Sequence, residues 1–272
     1  MTNTLNLAWQ ISEVIPTLPT GEDAKMLYDS LPEQVRVGLR YDEGSQTIIG
    51  STPFASVNLD IEAQKYGART PNLRDLSRPE VMRIAKDKYY IDSRNLVARS
   101  EEDSFSKNNS LLKTICGLVE AKDGTVKFPF MIEGFNFVPN PEDKTGYGLS
   151  IVAGPDFNVI QDERFEGKYS GKRFTEVDES GIPLFDKNGT RRWSAKDNGL
   201  SKLYLDGDLN LRSLSSYLAN SGGSGRVVFL MGAKGAQNSL QKYISELKTA
   251  EQEANTHNSR IVAEAIDRLK HN

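Results

Sequence analysis

The sequence predicts an α+β protein with a helical N-terminal part, a β-rich domain and a long C-terminal helix. Helical spacing of apolar residues prevails before residue 123, although short strands interrupt it. Alternating and β-branched runs divided by Gly, Pro, Asn and Asp fill residues 124–232. From Ala233 apolar residues return to helical spacing. We therefore place three regions at 1–123, 124–232 and 233–272.

Short elements are expected before residue 62. The prolines Pro16 and Pro19 end the first helical face, because proline removes a backbone donor inside a helix. The turn residues Asp42-Glu43-Gly44 divide the predicted hairpin. In order, we predict a helical face at Leu5, Leu7, Ile11 and Ile15, a helix from Gly21 to Leu31, a hairpin within Val35 to Ser51, and a strand at Val57, Leu59 and Ile61.

Two longer helices follow. Ser77-Arg78-Pro79-Glu80 has the capping-box arrangement and predicts a helix that runs to about Lys88. A second helix is predicted from about Ser106 to Ala121, with a core stripe of Leu111, Ile115, Leu118 and Val119. Cys116 lies beside this stripe, and we interpret it as a small buried thiol, because no histidine is near it in sequence.

The β-rich region carries strong turn signals. Glu179-Ser180-Gly181 and Lys187-Asn188-Gly189 separate runs of strand-forming residues. The predicted strands lie within Val126 to Val138, Tyr147 to Val152, Asn158 to Arg164, Lys172 to Trp193 and Arg226 to Met231.

The C-terminal region carries a weak heptad pattern. Its apolar positions are Leu240, Ile244, Leu247, Ala254, Ile261, Ala265 and Leu269, and polar residues interrupt the seam. A helix packed on its own protein, a helical hairpin and self-association through a coiled coil are all consistent with this spacing.

Composition excludes several classes of function. The formal net charge of -3 leaves nucleic-acid binding to a local patch. One cysteine allows no internal disulfide, and the chain has neither a secretory signal nor a membrane-spanning run, so we expect a cytoplasmic protein without membrane contact. Both histidines lie near the C-terminus, which argues against a His-based metal site or catalytic triad. We predict no cofactor and no metal.

Two short motifs are candidates for phosphate and metal binding. Gly232-Ala233-Lys234-Gly235 follows a predicted strand and opens a helix, but it lacks the spacing of known phosphate-binding loops. Asp206-Gly207-Asp208 does not match a calcium-binding loop. We interpret the first as a strand-to-helix turn and the second as solvated carboxylates.

A mixed basic and aromatic hairpin is the candidate for binding single-stranded nucleic acid. Aromatic rings can stack on bases while cations neutralise phosphates. Acidic residues are interleaved with this set, which favours an ordinary hairpin with a mixed charged face over a binding surface. Its members are Lys168, Tyr169, Lys172, Arg173, Phe174, Arg191, Arg192 and Trp193.

The stretch from Leu200 to Leu230 is the most distinctive in the chain. It begins with alternating leucines and polar residues, which predicts one leucine face and one polar or aromatic face. Lys, Glu, Gln, Met and Trp make up about a fifth of the whole sequence but are absent from Leu203 to Leu230. The polar positions use Tyr, Ser, Asn, Asp, Gly and Arg, which are the residues that antibody-type binding surfaces favour. An ordinary polar loop would also fit this composition.

The stretch 199–229 resembles the variable region of target proteins that diversity-generating retroelements rewrite. The resemblance rests on Gly199-Leu200-Ser201, Leu209 to Ser213 and Leu218 to Val228. In that family, adenine-directed mutagenesis changes asparagine-type codons, which yield the residue types found here and none of the missing ones. The resemblance implies a C-type-lectin-like fold that displays variable residues and binds ligands without catalysis.

Carried over to this sequence, the resemblance assigns roles to individual residues. The framework residues are Leu203, Leu205, Leu209, Leu211, Leu218 and Val227. The ligand-facing residues are Tyr204, Asp206, Asn210, Arg212, Ser215, Ser216, Tyr217, Asn220, Gly222 and Ser224. The chain departs from the family pattern, because about forty residues follow the stretch and tryptophans are scarce.

We therefore predict a non-enzymatic protein that binds an unknown protein or small-molecule ligand through this surface. Two alternatives remain open at this point. One is a single-stranded nucleic-acid binder that uses Lys168 to Trp193, and the other is an enzyme or structural protein whose sequence carries no readable motif.

Overall fold

A computed structural model describes residues 14–64 and 67–232, together with eight positions between 245 and 259. The helices are α1 (Gly21–Ser30), α2 (Glu33–Arg36), α3 (Pro53–Gln64), α4 (Pro79–Ala85) and α5 (Asn109–Asp123). The strands are β1 (Val14–Thr17), β2 (Arg40–Asp42), β3 (Thr47–Ile49), β4 (Ala68–Arg69), β5 (Ile91–Ala98), β6 (Phe130–Pro139), β7 (Leu149–Gln161), β8 (Lys168–Val177), β9 (Pro183–Phe185), β10 (Arg191–Ala195), β11 (Leu200–Leu205), β12 (Leu211–Ser213) and β13 (Phe229–Gly232).

One eight-stranded sheet organises the fold, in the order β7-β6-β5-β11-β12-β10-β8-β9. Its neighbours pair antiparallel except for β10 and β12, which run parallel. The predicted α+β class is therefore confirmed. The strands expected at Tyr147 to Val152 and Asn158 to Arg164 form one long strand, β7, whose pairing with β6 shifts register midway.

The central strands of the sheet are buried on both faces, because they contribute side chains to two separate hydrophobic clusters. On β5, Leu96 and Ala98 pack with residues of α3 and α5, whereas Val97 packs with residues of α4 on the opposite face. This alternation follows from the period of two along a strand. It explains why every residue of β5 is buried.

The expected boundary near residue 123 does not divide the sheet. Strand β5 precedes that residue, yet it pairs with both β6 and β11. A small sheet in the order β1-β13-β4 also joins the N-terminal part to the end of the β-rich region. Long-range strand pairing, which local periodicity does not record, therefore unites the two predicted regions.

Several local predictions are corrected by packing. Val57, Leu59 and Ile61 lie in helix α3 rather than in a strand, because α3 is buried around most of its circumference and needs no polar face. Ile15 lies in strand β1, and Leu5, Leu7 and Ile11 are outside the described residues. Helix α1 and the β2–β3 hairpin form where they were expected.

The capping box predicted at Ser77–Glu80 does not form. Helix α4 starts at Pro79 as expected, but its N-cap is Arg78 and no side chain caps it. The Ser77 hydroxyl instead accepts a hydrogen bond from Arg191 Nη1 at 3.2 Å. A tertiary contact has replaced the local one. In α5 the predicted stripe is buried except for Leu118, which is partly buried.

The extent of the predicted C-terminal helix lies outside the described residues. The eight positions given between 245 and 259 are helical. Gly232 ends β13, and the rest of the Gly232–Gly235 motif is also outside them. Within the part of the chain that the structure describes, no helix combines the length and hydropathy needed to cross a membrane.

Candidate functional site

The stretch from Leu200 to Leu230 forms a hairpin and a long anchored loop. Strands β11 and β12 pair antiparallel, with Tyr204 opposite Arg212. The alternating run is therefore two strands joined by a turn, not one continuous strand. None of the ten predicted ligand-facing residues is buried. Tyr204, Asp206, Asn210, Arg212, Ser215 and Ser216 are partly exposed, and Tyr217, Asn220, Gly222 and Ser224 are exposed.

The turn between β11 and β12 is held by Asp206. Its carboxylate accepts a hydrogen bond from the Asn210 backbone N–H at 2.8 Å and forms an ion pair with the Arg212 guanidinium. Leu209, in this turn, has a φ of 65°, which is uncommon for a residue with a branched side chain. Asp206 is therefore engaged within the protein, in contrast to the solvated carboxylate expected for the Asp206-Gly207-Asp208 motif.

Framework side chains lie beneath the displayed ones, with one exception. Leu203, Leu205 and Leu211 are fully buried in the cluster that also contains residues of α4. Leu218 and Val227 are buried in the cluster on the other face. Leu209 is only partly buried, because the turn carries it to the margin of the core.

An open cavity of about 520 Å³ lies beside the hairpin. The rings of Tyr90 and Tyr204 meet edge to face in its wall, with centroids 5.8 Å apart. Burial raises the pKa of Tyr204 to about 12, so its hydroxyl stays protonated at neutral pH and can donate a hydrogen bond. The cavity is lined by Asp87, Lys88, Tyr89, Tyr90, Tyr204, Asp206, Gly207, Asp208, Arg212 and Ser224.

A buried ion pair lies next to the two tyrosine rings that line this cavity. Lys202 Nζ lies 3.1 Å from Asp92 and donates to the Asn220 carbonyl oxygen at 2.8 Å. The same ammonium group lies 5.2 Å from the centroid of the Tyr90 ring and 5.5 Å from that of Tyr204. Lys202 therefore links the strand, the two tyrosines and the following loop through its charge.

The loop 219–226 is anchored to the N-terminal part of the chain. Tyr90 Oη accepts a hydrogen bond from the Gly222 backbone N–H at 2.8 Å, and the Ser51 backbone N–H donates to Ser221 Oγ at 2.8 Å. The loop also packs so closely on Gly38 that a Cβ there would come within 2.2 Å of the Ala219 carbonyl oxygen. Glycine is needed at position 38 for this approach as well as for its φ of 85°.

A second aromatic group surrounds Tyr217. Its ring stacks on Tyr147 with centroids 6.2 Å apart and lies 5.3 Å from Phe105. Tyr147 Oη donates to Asn108 Oδ1 at 2.8 Å and accepts from the Leu218 backbone N–H at 3.1 Å. These bonds fix Tyr147, which in turn gives the exposed Tyr217 ring a rigid platform.

Buried polar side chains hold the segment from Ser215 to Leu218 in place. Asn108 Nδ2 donates to the Ser216 carbonyl oxygen, and Lys196 Nζ donates to Ser216 Oγ at 2.9 Å. Both donors also bind Asp103. Burial works against the charge of Asp103, but the bonds from Asn108, the Phe105 backbone N–H and Lys196 lower its pKa. The carboxylate therefore remains ionised.

The eight residues predicted to bind nucleic acid do not share one exposed surface. Phe174 and Trp193 are fully buried and Arg191 is 8% exposed, so the prediction that these three contact a nucleic acid is wrong. They point to the core because residues along a strand alternate between faces, and β8 and β10 cover a hydrophobic cluster. Lys168, Tyr169, Arg173 and Arg192 are exposed, and Lys172 is partly exposed.

Sequence reasoning missed the residues that support the hairpin and loop. Tyr89 and Tyr90 directly follow the helix that the sequence predicts to about Lys88, and Lys202 lies one residue before the stretch with restricted composition. The sequence around Asn108 and Tyr147 does not indicate the contacts that these residues make. The adjacent tyrosines were the one available signal, because tyrosine combines a large contact area with a hydroxyl that needs a partner.

The described part of the chain provides neither an activated cysteine nor a grouped set of metal ligands. Burial raises the pKa of the Cys116 thiol, which disfavours the reactive thiolate. Among residues 14–64, 67–232 and the eight later positions, no three His, Cys, Asp or Glu side chains are grouped to hold a metal ion. No protein family, curated protein or solved structure matches the chain.

Proposed function

We propose that the chain is a non-enzymatic binding protein whose recognition surface is the hairpin and loop from Tyr204 to Ser224. One observation carries this proposal: all ten predicted ligand-facing residues are exposed or partly exposed, while five of the six framework residues are buried. A surface that tolerates changes at its contact residues needs this division between a packed framework and displayed side chains.

The displayed side chains suit recognition of a protein or a small molecule. Tyr204 and Tyr217 provide aromatic contact area, and Arg212 provides planar hydrogen-bond donors, both of which are common at the energetic centres of interfaces. Their positions are fixed before binding by Asp206, Tyr90 and Tyr147. Such preorganisation reduces the entropy that is lost on binding.

The resemblance to retroelement-diversified proteins extends the proposal to the origin of the surface. The residue types at the ten positions are those that rewritten asparagine-type codons produce, and a lectin-like mode of display would place them together. The DNA that flanks the gene tests this directly. A neighbouring reverse transcriptase gene and a near-copy of the codons for Leu200 to Val228 are expected, and the lack of both would remove the diversification hypothesis.

Binding itself is tested by comparing two triple variants. Immobilised wild-type chain is used to recover ligands, and each recovered ligand is titrated by calorimetry. Replacing Tyr204, Arg212 and Tyr217 with alanine is expected to weaken binding by about a hundredfold or more, because truncated hot-spot residues commonly cost over 2 kcal/mol each.

The matched control replaces Lys168, Arg173 and Arg192, which are exposed elsewhere on the sheet. This variant is expected to keep wild-type affinity. Equal affinity of the wild type and the Tyr204, Arg212, Tyr217 variant would contradict the proposed surface. Circular dichroism of both variants shows whether the fold is retained.

A single-stranded nucleic-acid binder remains the second candidate, with one specific observation in its favour. Arg173 and Arg192 lie directly opposite each other on neighbouring strands and are both exposed. Tyr169, which is 69% exposed, is the ring available for stacking in this set. Salt-dependent binding of an oligonucleotide that is lost on Lys172→Ala with Arg173→Ala would favour this function, and no binding at low salt would exclude it.

A further inference from the structure

A second cavity, of about 180 Å³, lies between α3 and the middle of β6 and β7. This cavity shares no lining residue with the cavity beside the β11–β12 hairpin, so it is distinct from the surface proposed for recognition. Its walls combine apolar and polar side chains. They include Asp60, Ile61, Arg94, Glu133, Phe135 and Asp156.

The cavity exists because the β6–β7 ladder is interrupted beside it. Glu133 pairs with Asn158, but Phe135 pairs with Ala153, so one residue of β6 faces four residues of β7. Two glycines make this bulge possible. A Cβ at Gly134 would lie 2.1 Å from the Asp156 carbonyl oxygen, and a Cβ at Gly154 would lie 2.5 Å from that of Gly134.

The polar lining has an excess of negative charge. Its charged groups are three carboxylates, on Asp60, Glu133 and Asp156, and one guanidinium, on Arg94, which gives a formal charge of -2. Arg94 forms a buried ion pair with Asp60. The Asp60 carboxylate also accepts from the Thr70 backbone N–H at 2.8 Å and from Gln64 Nε2 at 2.6 Å. Asp60 and Arg94 are therefore held in place by bonds within the protein, on one side of the cavity.

The other two carboxylates retain hydrogen-bonding capacity. Glu133 Oε1 accepts from Asn158 Nδ2 at 3.2 Å, and its second oxygen has no donor among the described residues. Asp156 is exposed, and its carboxylate forms neither a hydrogen bond nor an ion pair with any residue that the structure describes. A ligand that donates several charged hydrogen bonds would satisfy both groups.

The apolar side chains of the lining indicate that the rest of the ligand is a hydrocarbon group. Val57 and Phe135 are each 3% exposed, Ile61 is partly buried, and Pro155 is exposed at the edge of this apolar wall. The volume corresponds to about six water molecules at roughly 30 Å³ each, which is the size of a short hydrocarbon chain with polar ends. An anion would be repelled by the excess of carboxylates. A bare metal ion would make no contact with the apolar wall.

We propose that this cavity binds a small aliphatic amine, with its ammonium group on Glu133 and Asp156 and its hydrocarbon chain against Ile61, Phe135 and Pro155. The same ammonium chemistry occurs in a free amine and in a lysine side chain of another protein. The cavity volume of about 180 Å³ matches that of a whole short amine, which favours the free amine.

Calorimetry with 1,4-diaminobutane tests the proposal, with 1,4-butanediol as the uncharged molecule of matching length. The diamine is expected to bind at millimolar concentration or tighter, and the diol is expected not to bind. N-acetyl-lysine methylamide carries the ammonium on a peptide backbone and is expected to bind more weakly than the diamine. Tighter binding of the lysine derivative would overturn the assignment to a free amine.

Two variants locate the binding. Glu133→Gln with Asp156→Asn is expected to weaken diamine binding by about a hundredfold or more, since each of the two lost charged hydrogen bonds contributes about tenfold in affinity or more. Ile61→Trp keeps both carboxylates but fills the cavity, and it should also abolish binding. If the diamine binds this blocked variant as well as the wild type, it binds an acidic surface and the cavity proposal is wrong.

The matched control is Glu166→Gln with Glu179→Gln, which removes two exposed carboxylates outside the cavity. It lowers the negative charge of the chain by the same amount and is expected to leave diamine affinity unchanged. Affinity reduced equally in this control would mean that net charge controls binding, which would overturn the proposal. Lack of diamine binding to the wild type would overturn it too, and would leave the recognition surface untouched.

Discussion

Lys202 and Asp92 form a buried ion pair whose two carboxylate oxygens are equally distant from the ammonium nitrogen, at 3.1 Å. Lys202 is 3% exposed and Asp92 is 1% exposed. The ammonium group donates to Oδ2, whereas Oδ1 has no aligned donor among the described residues. The pair thus connects β5 to β11 directly beneath the Tyr90 and Tyr204 rings, and one of its carboxylate oxygens is incompletely satisfied.

Replacing Lys202 with methionine is expected to destabilise the protein by about 3 kcal/mol at pH 7, because it leaves Asp92 buried without its cation. The same change removes the bond to the Asn220 carbonyl oxygen. Urea denaturation measures the first effect, and faster hydrogen exchange in the loop 219–226 would report the second. The double variant Asp92→Asn with Lys202→Met should recover part of the stability, and a further loss would contradict this interpretation.

The stability of the protein should depend on the protonation of Asp92. Burial, only partly offset by Lys202, raises the pKa of Asp92 from 3.8 to about 6. The native state therefore binds a proton more tightly than the unfolded state. The resulting stabilisation is full below about pH 4 and is lost as the pH rises through about 6.

The test compares the free energy of unfolding of the wild type and Asp92→Asn between pH 4 and pH 7. The wild type should lose on the order of 3 kcal/mol relative to the variant across this range, because about two pKa units separate the folded and unfolded states. Parallel pH profiles for the two proteins would show that Asp92 does not titrate in this window.

Sequence periodicity predicted the elements whose burial pattern is simple. Helix α5 has one buried stripe, and its apolar residues recur at helical spacing. Helix α3 was predicted as a strand because its apolar residues happen to alternate at Val57, Leu59 and Ile61, while the real helix is buried almost all round. Periodicity carries no information about an element that lacks a polar face.

The exposed residues of the candidate site could be predicted from the sequence, but the residues that hold them in place could not. Tyr204 and Arg212 belong to a run with a distinctive composition. Tyr90 and Asn108 act through bonds to residues more than a hundred positions away, such as Tyr90 with Ser221 and Asn108 with Ser216. Such contacts depend on the sheet order, which the local sequence does not specify.

The division between framework and display predicts unequal tolerance to substitution within one stretch. Leu211→Ala should destabilise the protein by about 3 kcal/mol, because Leu211 is fully buried and its loss leaves a cavity. Asn220→Tyr, at an exposed position nine residues later, should change stability by about 0.5 kcal/mol or less.

Chemical denaturation of these two variants measures the contrast, and Ser224→Tyr provides a second exposed position in the same loop. Similar losses in Leu211→Ala and Asn220→Tyr would mean that the loop is packed as tightly as the strand. That outcome would argue against a surface whose residues can be exchanged freely.

Arg173 and Arg192 place two positive charges opposite each other on β8 and β10. Both side chains are exposed, and like charges at directly opposed positions destabilise a sheet. Arg192→Glu should therefore stabilise the protein by up to about 1 kcal/mol at low salt, because it creates a cross-strand pair of opposite charge. Unfolding experiments at low and high salt measure this gain, which should shrink as salt screens the pair. Arg192→Gln, which removes the repulsion without adding attraction, should fall between the two, and equal stability of all three proteins would show that the opposed arginines do not interact.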